Sequence, residues 1–467
     1  MVKLALKGGV AMIPEKFLER MKRILGEDTG RFVAALEEEA VKGLRVNGVK
    51  TDSCDLSHVG EVKLSPLSYA PDGYIVERGE KLGNTPEHHA GAFYMQDPGA
   101  MATVNAVDIK EGYRVLDVCA APGGKSSQMA AKIGESGLLY ANEYVPKRAK
   151  IIVGNLERLG VRNAIVTSLD SGELKKTFSA YFDLVLCDAP CSGEGMFRKY
   201  GVAEEEWSEE NVAACARRQR EILDNSAPCV RGGGYLLYST CTYSPEENEM
   251  TVAAFLDSHP DFSLVRVRDE VIAATLPGLS EYSDKYDMTL TRRFYPHVSP
   301  GEGQYIALMK RDENCGYMPT TLYKSAEKLP SKDETAAAKK FLSDNMKVIP
   351  DGKLIKQGDG IAIVPSDAFI PKNAVFMAGV MIGEVRGNLL FPHHQLFCAY
   401  GGDMKRREEL SLGDARVEKY LRGEEIDAVT SEGSGYLSVT YRGLTLGGGK
   451  LSSGKIKNHY PKGLRKR

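Results

Sequence analysis

Through the middle of this chain, short unbroken apolar runs alternate with longer amphipathic stretches. The runs are YRVLDVCA (113–120), GLLYANEY (137–144), NAIVTSLD (163–170), YFDLVLCDAP (181–190) and GGYLLYSTC (233–241). Between them, residues 124–134, 146–160 and 208–227 place apolar side chains three and four apart, the spacing of a helix with one buried face. Strand-like runs without polar alternation belong to a sheet covered on both sides, so the pattern predicts a mostly parallel α/β fold. FSLVRV (262–267) and GQYIALMKR (303–311) would close the sheet by about residue 311. Ser244-Pro245-Glu246-Glu247 has the form of a capping box with proline at the first helical position, which predicts a helix directly after Cys241.

Outside this region the pattern changes twice. Residues 14–44 have helical periodicity broken at GEDTG, and LRVNGVKTD and GYIVERG follow as short strands. Residues 1–100 therefore form an N-terminal extension and 101–311 the α/β domain. The polar stretch 312–345 is expected to be a linker. From 346 to 467, GDGIAIVP, GVMIGEV and GYLSVTYRGLTLGGGK predict a β-rich C-terminal region. Several domains suit 467 residues, which exceed what one core supports.

Composition narrows the class only a little. With 42% hydrophobic and 27% charged residues the chain is ordinary globular protein, and no run of eighteen apolar residues calls for a membrane. The first residues have no export-signal pattern, and nine cysteines without CxxC pairs suit a reducing cytoplasm. A net charge of −2 does not announce a nucleic-acid binder, but the last eighteen residues hold seven Lys or Arg and no acid. Nothing in the sequence demands a protein partner.

VLDVCAAPGGK (115–125) is a buried strand entering a small-residue loop and then a helix. Such a loop lets backbone approach a ligand at the carboxyl edge of a parallel sheet. It lacks both G-x-G-x-x-G and the P-loop pattern, which disfavours a diphosphate ligand. Glu143 ends the second strand, 19 residues beyond Gly124, where an acid bonds ribose hydroxyls; Asp170 ends the third and can reach an adenine amino group. A ribose and adenine without a diphosphate describe S-adenosylmethionine.

Two further strand ends carry thiols, Cys191 in DAPCSGEG and Cys241 in STCTYSPEENE. Cytosine C5 is too weak a nucleophile to take a methyl group unaided. A thiolate adding to C6 activates it, and a base must then remove the C5 proton so that the thiol leaves. Either cysteine suits the nucleophile's part by position alone. Asp188, three residues before Cys191, can hold a proton on the ring, and Pro190 stiffens the turn. Cys54, Cys187, Cys215, Cys229, Cys315 and Cys398 read as small hydrophobes. The Cys187–Cys191 spacing is poor for zinc, and no histidine lies near either thiol in sequence.

DVCAAPGGKSSQMA, DAPCSGEGMFRK and STCTYSPEENE resemble the motifs of the RNA 5-methylcytosine methyltransferases of the Nol–Nop–Sun group, in the same order and spacing. LGNTPEHHAGAFYMQDPGAM and RRFYPHVSPGEGQYIAL agree with that family, so the resemblance spans roughly residues 40–311. It implies a class I S-adenosylmethionine-dependent fold, Rossmann-like, and methylation of cytosine C5 in RNA. It also implies that Cys241 is the nucleophile and that Cys191 assists proton removal and release. Cofactor contacts implied are Cys119, Ala120, Ala121, Pro122, Gly123, Gly124, Lys125, Glu143, Asp170 and Asp188. The end, from Gly435 on, is similar to the PUA-like C-terminal RNA-binding domain of ribosomal RNA cytosine methyltransferases. The implied substrate is thus small-subunit (16S) ribosomal RNA or the small subunit itself, with transfer RNA and a silent assembly factor as competing readings. Arg198 and Lys199, just past Cys191, are candidates for phosphate contacts.

Overall fold

The computed structural model describes residues 2–6, 9–51, 59, 62–77, 81–199, 207–315 and 325–466. A ten-stranded sheet forms the centre. Its principal strands are β1 (Arg114–Asp117), β2 (Leu138–Asn142), β3 (Ala164–Thr167), β4 (Phe182–Asp188), β5 (Val230–Thr240) and β6 (Gln304–Arg311), in the spatial order β3-β2-β1-β4-β5-β6. β1 to β5 run parallel and β6 antiparallel to β5. Each of the five apolar runs became one of the first five strands. β4 shows why the run is unbroken: Leu184 and Leu186 enter the core on one face, Val185 and Cys187 the core on the other, and all four are fully buried.

Helices α1 (Gly124–Ile133) and α2 (Pro146–Leu159) cover the first of these faces. The second is covered by α3 (Glu209–Ser226) and α4 (Glu249–Ser258). The chain is doubly wound, and strand order reverses between β1 and β4, where such sheets open a ligand crevice. One expectation is corrected here. α4 starts at Glu249, not at Pro245, and residues 245–248 form a turn. The Ser244 hydroxyl accepts from the Glu247 amide at 3.4 Å, but the Glu247 carboxylate does not return to cap Ser244; it reaches Ser192 on the other thiol turn.

The N-terminal region supplies helices Glu15–Leu25 and Thr29–Glu37, interrupted at Gly26, whose φ of +54° favours glycine. Phe17, Phe32 and Leu36 bury against Phe197, Tyr243 and Tyr295, so this hairpin braces the carboxyl edge of the sheet. A four-stranded antiparallel sheet of Lys42–Val46, Leu64–Leu67, Ala70–Val76 and Phe93–Met95 follows.

Within 312–345, read from sequence as a linker, Lys332–Asn345 is a helix with a Ser331–Glu334 capping box. Beyond it lie a four-stranded and a five-stranded sheet, while Val375–Ala378 pairs antiparallel with β3 and widens the central sheet. Leu44, Val46 and Phe93 share one core with Tyr420, Val439 and Ile456, so the N-terminal and C-terminal regions are packed together. Among the described residues, no helix is long and apolar enough to cross a membrane. Cys54 lies outside the described residues.

Phe17 is fully buried, with the rings of Phe197 and Trp207 at 5.0 and 6.3 Å. Phe17→Ala is expected to destabilise this brace by about 3–5 kcal/mol, seen as an earlier unfolding transition in urea.

Candidate active site

β1 runs out at Asp117 into the loop 118–123, pinned on both sides. The Val118 amide donates to Leu186 of β4 at 2.9 Å and the Ala120 amide to Asn142 of β2 at 2.8 Å. Gly123 caps α1 with φ +106°, which favours glycine, and a Cβ on Gly124 would stand 3.1 Å from the Tyr94 ring, a tight contact. Asn142 ties two loops together. Its amide nitrogen donates to Val118 and Leu169 carbonyls at 3.1 and 3.0 Å, and its oxygen accepts from Thr167 Oγ1 and the Leu169 amide at 2.8 and 2.9 Å.

Acids stand at the ends of the adjacent strands. Glu143, buried, accepts from the Val145 amide at 3.0 Å and lies 3.4 Å from Arg148. Asp170 is exposed and caps the next helix, accepting from the Glu173 amide at 2.9 Å. Asp188 accepts from Lys125 at 2.8 Å and from Gln304 at 3.4 Å. Burial works against the Lys125 charge, yet the Asp188 carboxylate leaves this amine above its ordinary range. Burial raises the Cys119 thiol, which suits a contact rather than a reaction.

Sequence reasoning passed over Asp117. Its Oδ2 accepts from Ser126 at 2.6 Å, its Oδ1 is buried without a partner, and burial pushes it up to about 7. Asn142 and Gln304 were missed too, although Asn142 is the polar residue closing an apolar strand. S-adenosylmethionine fits this donor set. The rim offers carboxylates for a ribose and for a sulfonium charge, and its cations Lys125 and Arg148 already face Asp188 and Glu143 rather than an open phosphate site.

The thiols meet next to this rim. Cys191 Sγ and Cys241 Sγ lie 3.2 Å apart, both free and partly buried. The hydrogen bond to Cys241 raises the Cys191 thiol well above its ordinary value, and burial adds to this. Either sulfur can donate to the other across this contact. The Gly195 amide donates to the Cys241 carbonyl at 2.9 Å, joining the two turns. Glu194 and Glu247 are buried beneath them. The other described cysteines sit elsewhere, and no metal-holding cluster occurs among the described residues. Arg198 and Lys199 are corrected: Arg198 is buried, bonded to Glu302 at 2.8 Å and to the Ala35 carbonyl at 2.9 Å, and Lys199 pairs with Asp97. Arg198 thus holds the N-terminal hairpin at Ala35, and Lys199 holds the Asp97 cap of the helix Pro98–Asn105.

Fold and site together define a class I S-adenosylmethionine-dependent methyltransferase with two thiols in contact at the carboxyl edge of its sheet. The family model for 16S rRNA methyltransferase RsmB/F matches residues 104–310. That for the N-terminal domain of 16S rRNA methyltransferase RsmF matches 13–98, and that for the methyltransferase RsmF PUA domain matches 407–466. Ribosomal RNA small subunit methyltransferase F of Vibrio vulnificus (strain YJ016) is 31% identical, and that of Vibrio campbellii 32%, each over 97% of this chain and 97% of its own length. A methyltransferase homolog from Pyrococcus horikoshii aligns with a TM-score of 0.56 at 29% identity, covering 64% of this chain and 95% of that one. The chain belongs to the RsmB/F family of 16S rRNA methyltransferases.

Asp117 sets a pH test. An acid raised in the fold keeps its proton after the unfolded chain has lost it. Its contribution is therefore full below about pH 4 and is lost as pH rises to about 7. Asp117→Asn, which keeps the bond from Ser126, is expected to flatten that decline when melting is followed across this range.

Proposed function

We propose that this protein methylates C5 of a cytosine in 16S ribosomal RNA, with Cys241 as nucleophile and Cys191 assisting proton removal and release. The observation that carries this reading is the 3.2 Å contact between two free thiols at the ends of neighbouring parallel strands. S-adenosylmethionine, when bound, supplies the methyl group. The base reaches the thiols by leaving its stack. Cys241 Sγ bonds C6, and the electron pair of the C5–C6 bond moves to C5, which becomes the nucleophile. Asp188, fixed by Lys125, holds the ring nitrogen side and favours that flow of charge. After transfer, the Cys191 thiol gives its proton to the Cys241 sulfur as that leaves C6, the Cys191 sulfur takes the C5 proton, and the pair of that C–H bond restores C5–C6.

Contacts to the cofactor fall to Cys119–Lys125, Glu143, Asp170 and Asp188. Residues 1–100 and 346–467 recognise the folded RNA, as free ribosomal RNA or within the small subunit, in the cytoplasm. The basic C-terminal end supports this part of the reading through phosphate attraction.

The test uses wild type, Cys191→Ala and Cys241→Ala with S-adenosylmethionine and small-subunit RNA, naked and assembled. Methyl transfer is counted and RNA-linked protein is sought on denaturing gels. Cys241→Ala is expected to give neither product, and Cys191→Ala to retain the RNA-linked species. An adduct with Cys241→Ala would exchange the two roles. Transfer to transfer RNA and not to ribosomal RNA would overturn the substrate.

A further inference from the structure

Two buried glutamates lie under the thiols and are crossed between the turns. Glu194 belongs to the turn of Cys191, yet its Oε2 accepts from Thr242 Oγ1 at 2.9 Å and from the Tyr243 amide at 3.0 Å, the two residues after Cys241. Glu247 belongs to the turn of Cys241, yet its Oε2 accepts from the amide of Ser192, the residue after Cys191, at 3.0 Å. Each carboxylate thus holds the backbone beside the opposite sulfur. Glu194 is anchored from behind by Arg20 at 2.7 Å and Trp207 at 2.8 Å. Gln219 anchors Glu247 at 2.8 Å and also donates to the Pro190 carbonyl at 2.9 Å. Both glutamates are wholly inaccessible to solvent.

The hydroxyls of Ser192 and Thr242 connect the halves at 2.9 Å. Proton counting allows one extra proton on either glutamate, and Glu194, which already faces Arg20, Trp207 and the Tyr243 amide as donors, leaves it to Glu247. Two hydroxyl protons face three contacts: Glu247 with Ser192, Ser192 with Thr242, and Thr242 with Glu194. All three are hydrogen bonds when Glu247 carries a proton, whose O–H then donates to Ser192 Oγ. Ser192 in turn donates to Thr242, and Thr242 to the Glu194 carboxylate that pairs with Arg20. A proton there agrees with burial, which pushes Glu247 up to about 7.

We propose that Glu194 and Glu247 are positioning residues for the reaction, Glu194 fixing Cys241 and Glu247, through Ser192, fixing Cys191. The assignment of effects rests on the thiol roles given above. A carboxamide distinguishes the two sites. At 247 it reproduces the protonated acid: its oxygen accepts from the Ser192 amide and Gln219, and its NH2 donates to Ser192 Oγ. At 194 all four partners are donors, so one NH2 must meet a donor pair.

Glu247→Ala, Glu247→Gln, Glu194→Gln and Ser192→Ala are compared with both cysteine variants for methyl transfer, retained RNA adduct, and alkylation of each thiol by iodoacetamide read by mass spectrometry. Glu247→Ala and Ser192→Ala are expected to slow turnover about a hundredfold while retaining adduct, the behaviour of Cys191→Ala; that is the cost of an ångström-scale misplacement. Glu247→Gln is expected to recover most of the turnover lost in Glu247→Ala. Glu194→Gln is expected to lower transfer and adduct together, about a hundredfold, and to change alkylation of Cys241 more than of Cys191. Glu247→Gln as damaged as Glu247→Ala, or Glu194→Gln with undiminished transfer, would overturn the proposal. If Glu247→Ala does not fold, Ser192→Ala with a native circular dichroism spectrum decides the same point. Cysteine variants that trap no RNA, or trap it in exchanged order, would instead remove the reading beneath, and the alkylation pattern would still report on the clasp.

Discussion

The parallel pairing of β4 with β5 is the constraint on which the meeting of the two thiols depends. With Asp188 opposite Ser239 in the ladder, the turns that follow leave the sheet side by side. Residues fifty apart in sequence then present two sulfurs 3.2 Å from each other, and neither turn alone could set that distance. The neighbouring pairing of β4 with β1 places the small-residue loop 118–123 on the other side of Asp188. One carboxylate therefore borders both the small-residue loop and the thiols, with Lys125 holding it in place.

Charge is buried densely around these turns, and three arginines there are each paired with a glutamate. Arg20 meets Glu194, Arg198 meets Glu302, and Arg293 meets both Glu249 and the Tyr243 carbonyl. Removing a charge from water is costly unless its partners replace the lost hydration, so such pairs are sensitive to geometry. They fix turn positions more surely than apolar contact, which tolerates sliding. The N-terminal hairpin belongs to this arrangement. Through Arg20, and through the Ala35 carbonyl that receives Arg198, it is bonded to the turn that carries Cys191.

The outer regions are joined to the centre by more than linkers. Val375–Ala378 lengthens the sheet beyond β3, and the N-terminal strands share a core with the last sheet of the chain. The family match to residues 407–466 describes a PUA domain, and the shared core places that domain against the N-terminal region.

Much of this was legible in the sequence, and the division has a physical basis. Apolar runs without alternation determine buried parallel strands, because only a sheet covered on both faces uses them. Small residues in CAAPGGK determine a loop that backbone can approach closely. Thiols and acids at strand ends are visible because the carboxyl edge is where their chemistry is useful. What the sequence could not decide is which partner a polar side chain takes across the fold. Glu247 follows Ser244 at the spacing of a capping box, and local reading gave it that role; the folded chain gives it Ser192 instead. Arg198 reads as a surface cation and is buried against Glu302. Local periodicity is a property of consecutive residues and survives in any context. The partner of a buried polar group depends on which distant turn packs beside it, and only the tertiary structure settles that.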